Sequence, residues 1–546
     1  MKTNLLSNRL TVCALFLLIV ISSSCKKSPK PETTDGANAS RGIPSTGTRT
    51  QLTLDSLYLY AKQIYYWNDA LPDYTSFNPR SYTNGSSSLD NYNAELYALT
   101  QIKINPATGK AYEYYGDGAP KYSFIDDLTI SNPNVSSSAN LASVDTEGNG
   151  YDIGIRPIFY LYGNADAYDL FITAVYPGSP AAAAGVKRGW VIQKINGKAV
   201  VGASYAKEQK SVTDALEGAT VTIAGINAID GVPFNVTLNK ASYKSSPVYA
   251  STVIARSGKK IGYLAFARFS PLTNQDAPID ANLDPVFSSF SSQGVTDLVI
   301  DLRYNGGGYT NTAEYLANLI GPSSLTGKNM YKEYFNNMMQ TGKATILANQ
   351  PLLTSAGKVQ TQNGRIITMA DVDYSANAAS NNSSFNKKGS LNGVNNVVFI
   401  VSRNTASASE LLINSLKPYM NVKLVGDTTY GKPVGFFPIT LENRYEVFMS
   451  LFETLNSQGQ GGYFTGMLPD VLSQNDDPRY VFGDVRDNYL SLALNVLAPG
   501  AVNRSATMST RNNSVGTAGY NRQQIKPVNP NSEFVGMIER RHTLKK

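Results

Sequence analysis

The sequence predicts an α/β core that follows a β-rich domain and a small helical cap. Near-continuous apolar runs at residues 296–302, 397–401 and 422–425 are typical of buried strands, and each leads into a turn of small or polar residues. Short β-type runs separated by Pro-Gly and Asn-Gly turns fill residues 148–245. Apolar residues recur with helical spacing over residues 50–72.

The chain has 546 residues, enough for about three or four domains. Its hydrophobic fraction of 42% and charged fraction of 16% can supply packed cores. These observations divide the chain into a leader (1–25), a flexible tether (26–49), a helical cap (50–147), a β-rich domain (148–245), an α/β core (246–500, with an insertion at 321–390) and a polar, poorly packed tail (501–546).

Charge and cysteine usage exclude several classes of function. The net charge of +7 comes from scattered Lys and Arg residues without a basic stripe, which argues against nucleic-acid binding. Both cysteines, Cys13 and Cys25, lie in the leader, so the rest of the chain has no disulfide, thiolate metal ligand or cysteine nucleophile. With His542 as the only histidine, no zinc site is expected. We expect neither a metal nor another cofactor.

The leader fits an export signal. Lys2 and Arg9 accompany an apolar run, residues 11–21, that is too short to span a bilayer. The following Ser-Ser-Ser-Cys resembles a bacterial lipoprotein signal, in which the cysteine, here Cys25, is lipidated; an ordinary cleaved signal is the alternative. The resemblance implies anchoring through Cys25 in the periplasm or outer membrane of a Gram-negative bacterium, with no other membrane contact.

Residues 172–200, ITAVYPGSPAAAAGVKRGWVIQKINGKAV, closely resemble a PDZ domain. In that family a glycine-containing loop offers N–H groups to the C-terminal carboxylate of a peptide, which adds as a strand to the sheet edge. The resemblance assigns this role to Ile153, Gly154 and Ile155. It implies that the domain captures substrate C-termini or gates access; another small β-rich domain is the alternative.

Two turns at the ends of apolar strands could hold a reactive group. NTASASELL (404–412) begins a helix, where unpaired N–H groups and the helix dipole suit a developing oxyanion. Helix capping explains the same serines, because Ser and Thr are common N-cap residues. The glycine turn at residues 305–308, NGGG, favours the first interpretation, since it can aim N–H groups at a ligand.

A serine nucleophile needs a base, and His542 lies in a polar tail. A lysine can serve if burial lowers its pKa enough to make the amine neutral. Lys432 follows a buried strand and precedes the apolar residues of PVGFFPI (433–439), whereas most other lysines have polar neighbours. A solvated side chain is the alternative for Lys432.

Three segments together resemble the carboxyl-terminal processing, or tail-specific, serine proteases: DLRYNGGG (301–308), TASASE (405–410) and LVGDTTYGK (424–432). GMLPD (466–470) and the preceding PDZ-like domain agree with this family. The resemblance implies that Ser407 is the nucleophile, that Lys432, 25 residues later, is its base, and that the N–H groups of Gly307 and Ala408 form the oxyanion hole. It implies a crotonase/ClpP-like core.

Phe436 departs from the family, which often carries Gln four residues after the lysine to orient the amine. The candidates for that role are Thr428, Thr429 and Asn404. The predicted function is a serine endopeptidase that cleaves unfolded or C-terminally tagged exported proteins. The alternatives are a catalytically degenerate peptide-binding protein on the same fold and an esterase or amidase with the same dyad.

Overall fold

The computed structural model describes residues 42–116, 118–129, 144–162, 166–274, 279–354, 357–499, 525–528 and 536–538. The predicted leader with Cys25 lies outside these residues, and so does His542. The described residues belong to one compact unit that starts at Gly42. Within them, no helix has both the length and the apolar character that crossing a membrane requires.

The N-terminal region consists of short helices and strands. Helix α1 begins after Thr48, whose side chain accepts a hydrogen bond from Gln51 N at 3.2 Å, as an N-cap does. Its buried face includes Leu54, Leu57 and Ala61, which the helical spacing predicted. The elements are α1 (Arg49–Ile64), α2 (Tyr74–Phe77), α3 (Ser88–Thr100), β1 (Ile104–Asn105), β2 (Lys110–Ala111) and β3 (Phe124–Asp127).

The next region is β-rich, as the short β-type runs of residues 148–245 predicted. Its elements are β4 (Asn149–Asp152), β5 (Ile155–Tyr162), β6 (Tyr168–Val175), α4 (Pro180–Ala183), β7 (Trp190–Ile195), β8 (Lys198–Ala199), α5 (Tyr205–Leu216), β9 (Thr220–Asn227), β10 (Pro233–Asn239) and β11 (Ala241–Lys244). The main sheet has the order β10-β9-β7-β6-β5. Helix α5 is the longest helix of this region among the described residues.

The remaining elements form the mixed α/β core. They are β12 (Val248–Arg256), β13 (Lys259–Phe266), α6 (Asp284–Ser292), β14 (Asp297–Asp301), β15 (Gly307–Tyr309), α7 (Thr310–Ile320), β16 (Asn329–Phe335), α8 (Asn337–Gln340), β17 (Thr361–Gln362), β18 (Arg365–Ile366), β19 (Asn382–Ser384), β20 (Asn396–Val401), α9 (Ala408–Leu416), β21 (Asn421–Gly426), β22 (Val434–Gly435), β23 (Ile439–Leu441), β24 (Tyr445–Phe448), β25 (Phe452–Asn456), β26 (Val471–Leu472) and α10 (Asn488–Leu497).

A six-stranded sheet, β12-β13-β14-β20-β21-β26, organises this core. Only the β12–β13 pair is antiparallel. Alternate residues of the central strands pack on α10 at one face and on α6, α7 and α9 at the other. Because both faces are covered, the middle of each strand is apolar, and this apolar run is the pattern by which the sequence predicted the strands.

The segment predicted to be an insertion is joined to the rest of the core by strand pairing. Strand β16 lies between β19 and β25, and β22 completes this four-stranded sheet. A three-stranded sheet, β23-β24-β3, joins the core to the N-terminal region. Residues far apart in the chain therefore meet around β22, close to Lys432.

Two pieces of the C-terminal tail are also strands: β27 (Ile525–Val528), antiparallel to β5, and β28 (Gly536–Ile538), parallel to β15. The sequence predicted a polar, poorly packed tail, and the structure differs at these places. For β28 the reason is local, because FVGMI (534–538) is an apolar run inside the polar tail. Its last residue, Ile538, is 8% exposed.

A buried network of charges fastens the β-rich region to the core. Arg303 donates hydrogen bonds to Asp301, Asp476 and Asp487, and its side chain is only 1% exposed. Arg188, from the β-rich region, bonds Asp476 at 3.1 Å. The paired guanidinium groups hold the pKa of Asp476 at about 2, against the burial that would raise it.

Replacing Arg303 by methionine should destabilise the fold strongly. The substitution leaves buried carboxylates without their main partner, which costs about 3–5 kcal/mol. Chemical denaturation gives the free energy of unfolding. The control is Arg486→Met, which removes an exposed pair with Asp484 and should leave the midpoint unchanged. Equal unfolding midpoints for the two variants would show that the charge network contributes little to the stability of the fold.

Candidate active site

Ser407 is the last residue before α9 and has an unusual backbone. Its φ of 61° and ψ of −110° lie in a region that residues with a side chain rarely adopt. The residue is fully buried, and its Oγ has no hydrogen-bond partner among the described residues. An N-cap serine normally has an extended backbone and uses its Oγ to accept a helix N–H. This geometry favours a presented hydroxyl over a cap.

The serine turn and the glycine turn are held together by direct hydrogen bonds. The carbonyl of Asn305 accepts from Ala406 N at 3.2 Å and from Ser409 Oγ at 3.0 Å. Thr405 Oγ1 donates to the carbonyl of Leu302 at 2.8 Å. The two turns therefore form one rigid unit at the carboxyl ends of β14 and β20.

Gly307 has a φ of 112°, and a side chain there would not fit. A Cβ at this position would lie 3.0 Å from Ser407 Cβ and would collide with the carbonyl oxygen of Gly536. In this structure Gly307 N donates to Asn305 Oδ1 at 2.9 Å. Ala408, the other predicted oxyanion donor, is the first residue of α9, where N–H groups have no carbonyl partner within the helix.

Lys432 is fully buried. Loss of solvent lowers the pKa of its amine to about 7, while the charges of Glu113 and Glu410 oppose the shift and that of Lys121 adds to it. A substantial fraction of the amine is therefore neutral near neutral pH. A neutral amine can accept a proton, which an ordinary exposed lysine cannot do at this pH.

The N-terminal region and Phe436 surround the amine. Lys432 Nζ donates to the backbone carbonyl of Tyr122 at 3.2 Å and lies 4.2 Å from the centre of the Phe436 ring. Phe436 thus supplies an apolar wall where the related family often has an amide. Of the partners suggested by the sequence, Thr429 uses its hydroxyl to donate to Glu410, and Asn404 is exposed.

Sequence reasoning missed Glu410, which joins the two halves of the site. Its Oε2 accepts from the N–H groups of Ser407 at 2.9 Å and Lys432 at 2.8 Å. Its Oε1 accepts from Gly431 N at 2.8 Å and from the hydroxyl of Thr429. Burial raises the pKa of this carboxyl, and these hydrogen bonds oppose the shift. An acid inside the apolar helix start of TASASELL was the available signal.

Tyr122 was missed as well, because a backbone carbonyl has no signature in the sequence. Its segment is fixed by Glu113, a fully buried carboxylate that accepts from Ser123 N and Ser450 Oγ at 2.9 Å each. The Tyr122 hydroxyl donates to the carbonyl of Gly431 at 2.6 Å. The N-terminal region therefore positions the residue just before Lys432.

A cavity of about 40 Å³ lies beside the glycine turn, where Gly306, Gly307 and Tyr304 line it together with Arg268. Arg268 is buried, and its Nε and Nη1 have no partner within the part of the chain that the structure describes. The cavity thus brings a cationic group to the turn that contains a predicted oxyanion donor.

The predicted peptide-binding loop lies at the start of β5. Gly154 has a φ of 86°, and a Cβ there would overlap Ser179. Gly154 N donates to Asp152 Oδ1 at 2.6 Å, and Ile153 O accepts from Ala181 N at 2.9 Å. Further along, β5 pairs with β27 of the tail.

Comparisons with known proteins agree with the fold and with the arrangement around Ser407. Residues 260–473 match the model of peptidase family S41, which confirms the resemblance to C-terminal processing serine proteases. The match includes the glycine turn, Ser407 and Lys432.

The chain is similar to particular members of this class. It is 25% identical over 323 residues to the chloroplastic C-terminal processing peptidase of Tetradesmus obliquus, covering 57% of this chain and 58% of that protein. It is 25% identical over 316 residues to a Staphylococcus aureus (strain bovine RF122 / ET3-1) protein named "Probable CtpA-like serine protease", covering 57% and 51%. The chain therefore spans little more than half the length of these curated relatives.

A solved structure from Bacteroides fragilis NCTC 9343, assigned to the S41 proteases, shares the fold. It covers 81% of this chain and 96% of its own, with a TM-score of 0.52 and 21% identity. At that identity the likeness concerns the fold alone, which is that of an S41 protease with mixed α/β content.

Replacing Glu410 by glutamine should destabilise the site. Glutamine offers one acceptor oxygen where two oxygens now receive four hydrogen bonds, so buried N–H groups lose their partner. We expect a loss of about 3 kcal/mol or more in the free energy of unfolding. Denaturation by urea measures it. Asp214→Asn, on an exposed i,i+4 pair, is the matched control and should not change the midpoint; a Glu410→Gln midpoint equal to it would contradict the assignment.

Proposed function

We propose that the protein is a serine endopeptidase with a Ser407–Lys432 dyad. The observation that carries the proposal is the geometry around Glu410. Its carboxylate accepts from the backbone N–H of Ser407, whose hydroxyl has no partner among the described residues, and from that of Lys432, a buried lysine of lowered pKa. The similarity to serine-type peptidases supports it.

The reaction would proceed through an acyl-enzyme. Neutral Lys432 takes the proton of Ser407 as the serine oxygen attacks a peptide carbonyl. The N–H groups of Gly307 and Ala408 stabilise the oxyanion, which requires Gly307 N to turn from Asn305 Oδ1 towards the substrate. The protonated lysine then gives its proton to the leaving amine. Water hydrolyses the ester with Lys432 again as base.

The β-rich region would act as a PDZ domain. Its sheet order, the left-handed Gly154 before β5 and the β5 edge support this role. Peptide strands adding to β5 would bring substrate C-termini towards the core, or would control access to it. The expected substrates are unfolded or C-terminally tagged proteins.

The protein would be exported and anchored through Cys25 to the periplasm or outer membrane of a Gram-negative bacterium. The lipoprotein-like leader supports this location. The helical N-terminal cap would belong to the catalytic unit, since the backbone carbonyl of Tyr122 accepts a hydrogen bond from the Lys432 amine.

The dyad predicts the effect of two substitutions. Ser407→Ala should lower kcat by about 10³-fold or more and abolish labelling by a fluorophosphonate probe. Lys432→Ala should lower kcat comparably, because it removes the proposed base. For the wild type, kcat/KM should rise about tenfold per pH unit up to pH 7 and then level off, since the amine must lose its proton.

The measurement is cleavage of an unfolded protein, with Lys423→Ala, an exposed lysine paired with Asp470, as the control. A wild type that neither cleaves nor reacts with the probe above pH 8 would identify a peptide-binding protein instead. Full activity of Lys432→Ala would exclude the lysine as the base.

Phe436→Gln should move the pH profile to higher pH. The amide would accept a hydrogen bond from the charged amine and admit water, both of which favour the protonated lysine. We expect the apparent pKa to rise by about one unit. Phe436→Leu keeps the wall apolar and should shift the profile less. A pH profile unchanged by Phe436→Gln would mean that the ring does not influence the pKa of the Lys432 amine.

A further inference from the structure

The tail strand β28 lies across the candidate active site. Gly536, Met537 and Ile538 pair in parallel with Gly307, Gly308 and Tyr309, in that order. Gly536 N donates to Gly306 O at 3.1 Å, and Ile538 forms a parallel bridge with Phe436. The segment is therefore held between the glycine turn and the wall of the lysine site.

The backbone of Gly536 lies next to the serine. A Cβ placed on Gly307 would collide with the carbonyl oxygen of Gly536 and would lie 3.0 Å from Ser407 Cβ. Both groups therefore border the same small space beside Gly307. Gly536 and Ile538 are buried there, and the Ile538 side chain is part of the main apolar cluster. An extended peptide with its carbonyl beside the nucleophile has the position that a protease substrate requires.

A second stretch of the tail is held upstream. Residues Ile525–Val528 pair antiparallel with β5, with Ile525 opposite Tyr162 and Val528 opposite Phe159. This is strand addition to the edge at which the β-rich region is proposed to receive peptides. One continuous tail thus occupies both the proposed peptide-binding edge and the cleft beside Ser407.

We propose that the protein processes its own C-terminus, and that its tail is an intramolecular substrate cut on one side of Gly536. The proposal rests on the proposed function. Ser407 Oγ forms an ester with the carbonyl carbon of the scissile bond as its C–N bond breaks. Lys432 takes the proton of the serine and passes it to the leaving amine. Water then hydrolyses the ester to a carboxylate. The released peptide carries the basic end of the chain, ERRHTLKK.

Intact-mass spectrometry of the purified full chain tests the proposal. The wild type should lack the residues after 535 or 536, and Ser407→Ala should retain Lys546. The rate of loss should not depend on protein concentration, because the reaction is intramolecular. Ile538→Asp should slow it by about tenfold or more, since burying an apolar side chain contributes about 1.5–3 kcal/mol. Ile279→Asp, at a side chain 63% exposed, is the matched control.

The outcomes separate this inference from the proposed function. A wild type that cleaves an added unfolded protein but keeps its own C-terminus overturns self-processing alone. Loss of the tail from Ser407→Ala as well would assign the cut to another protease and also overturn it. A wild type that cleaves neither substrate overturns both proposals. Should Ile538→Asp not fold, the comparison of the wild type with Ser407→Ala decides the matter.

Discussion

The carboxylate of Glu410 is the interaction on which the site depends. One of its oxygens receives the N–H groups of Ser407 and Lys432, so the backbones of two sequence-distant turns are fixed by a single buried group. A buried carboxylate without such donors would be strongly unfavourable. Because the donors come from both turns, the carboxylate has its full set of hydrogen bonds only when the two turns lie side by side. The interactions that stabilise this buried carboxylate therefore also fix the backbone positions of Ser407 and Lys432.

The fold brings these turns together through the parallel sheet. Strands β14, β20 and β21 end at one edge, which is where the glycine turn, the serine turn and the segment before Lys432 begin. The Arg303 network fixes the first of these turns to the β-rich region through Asp476 and Arg188. The lysine site, by contrast, is completed from the N-terminal region. The core, the β-rich region and the N-terminal region thus all contribute to the site, although the sequence motifs of the site lie in the core alone.

Much of this core could be predicted from the sequence, because strands buried on both faces are apolar throughout and produce a clear pattern. The proximity of the serine and glycine turns followed from strand ends and from the family resemblance. Tyr122 could not be predicted, since its contribution is a carbonyl that any residue provides. Glu410 looked like an ordinary acid in the first turn of a helix. Strand β28 could not be predicted, because three residues inside a polar tail are too few to show the alternation of apolar and polar residues that marks a strand.

The contact between Lys432 and Tyr122 also constrains how the protein is made. The two residues are separated by 310 positions, so the contact is a long-range one that needs most of the chain to be present. During synthesis the N-terminal region emerges long before the lysine, and it cannot desolvate an amine that is still inside the ribosome. An unfinished or partly folded chain consequently holds Lys432 in water, with the pKa of an ordinary lysine. The lowered pKa of the lysine, and with it the ability of its amine to accept a proton at neutral pH, would then arise only with the completed tertiary structure.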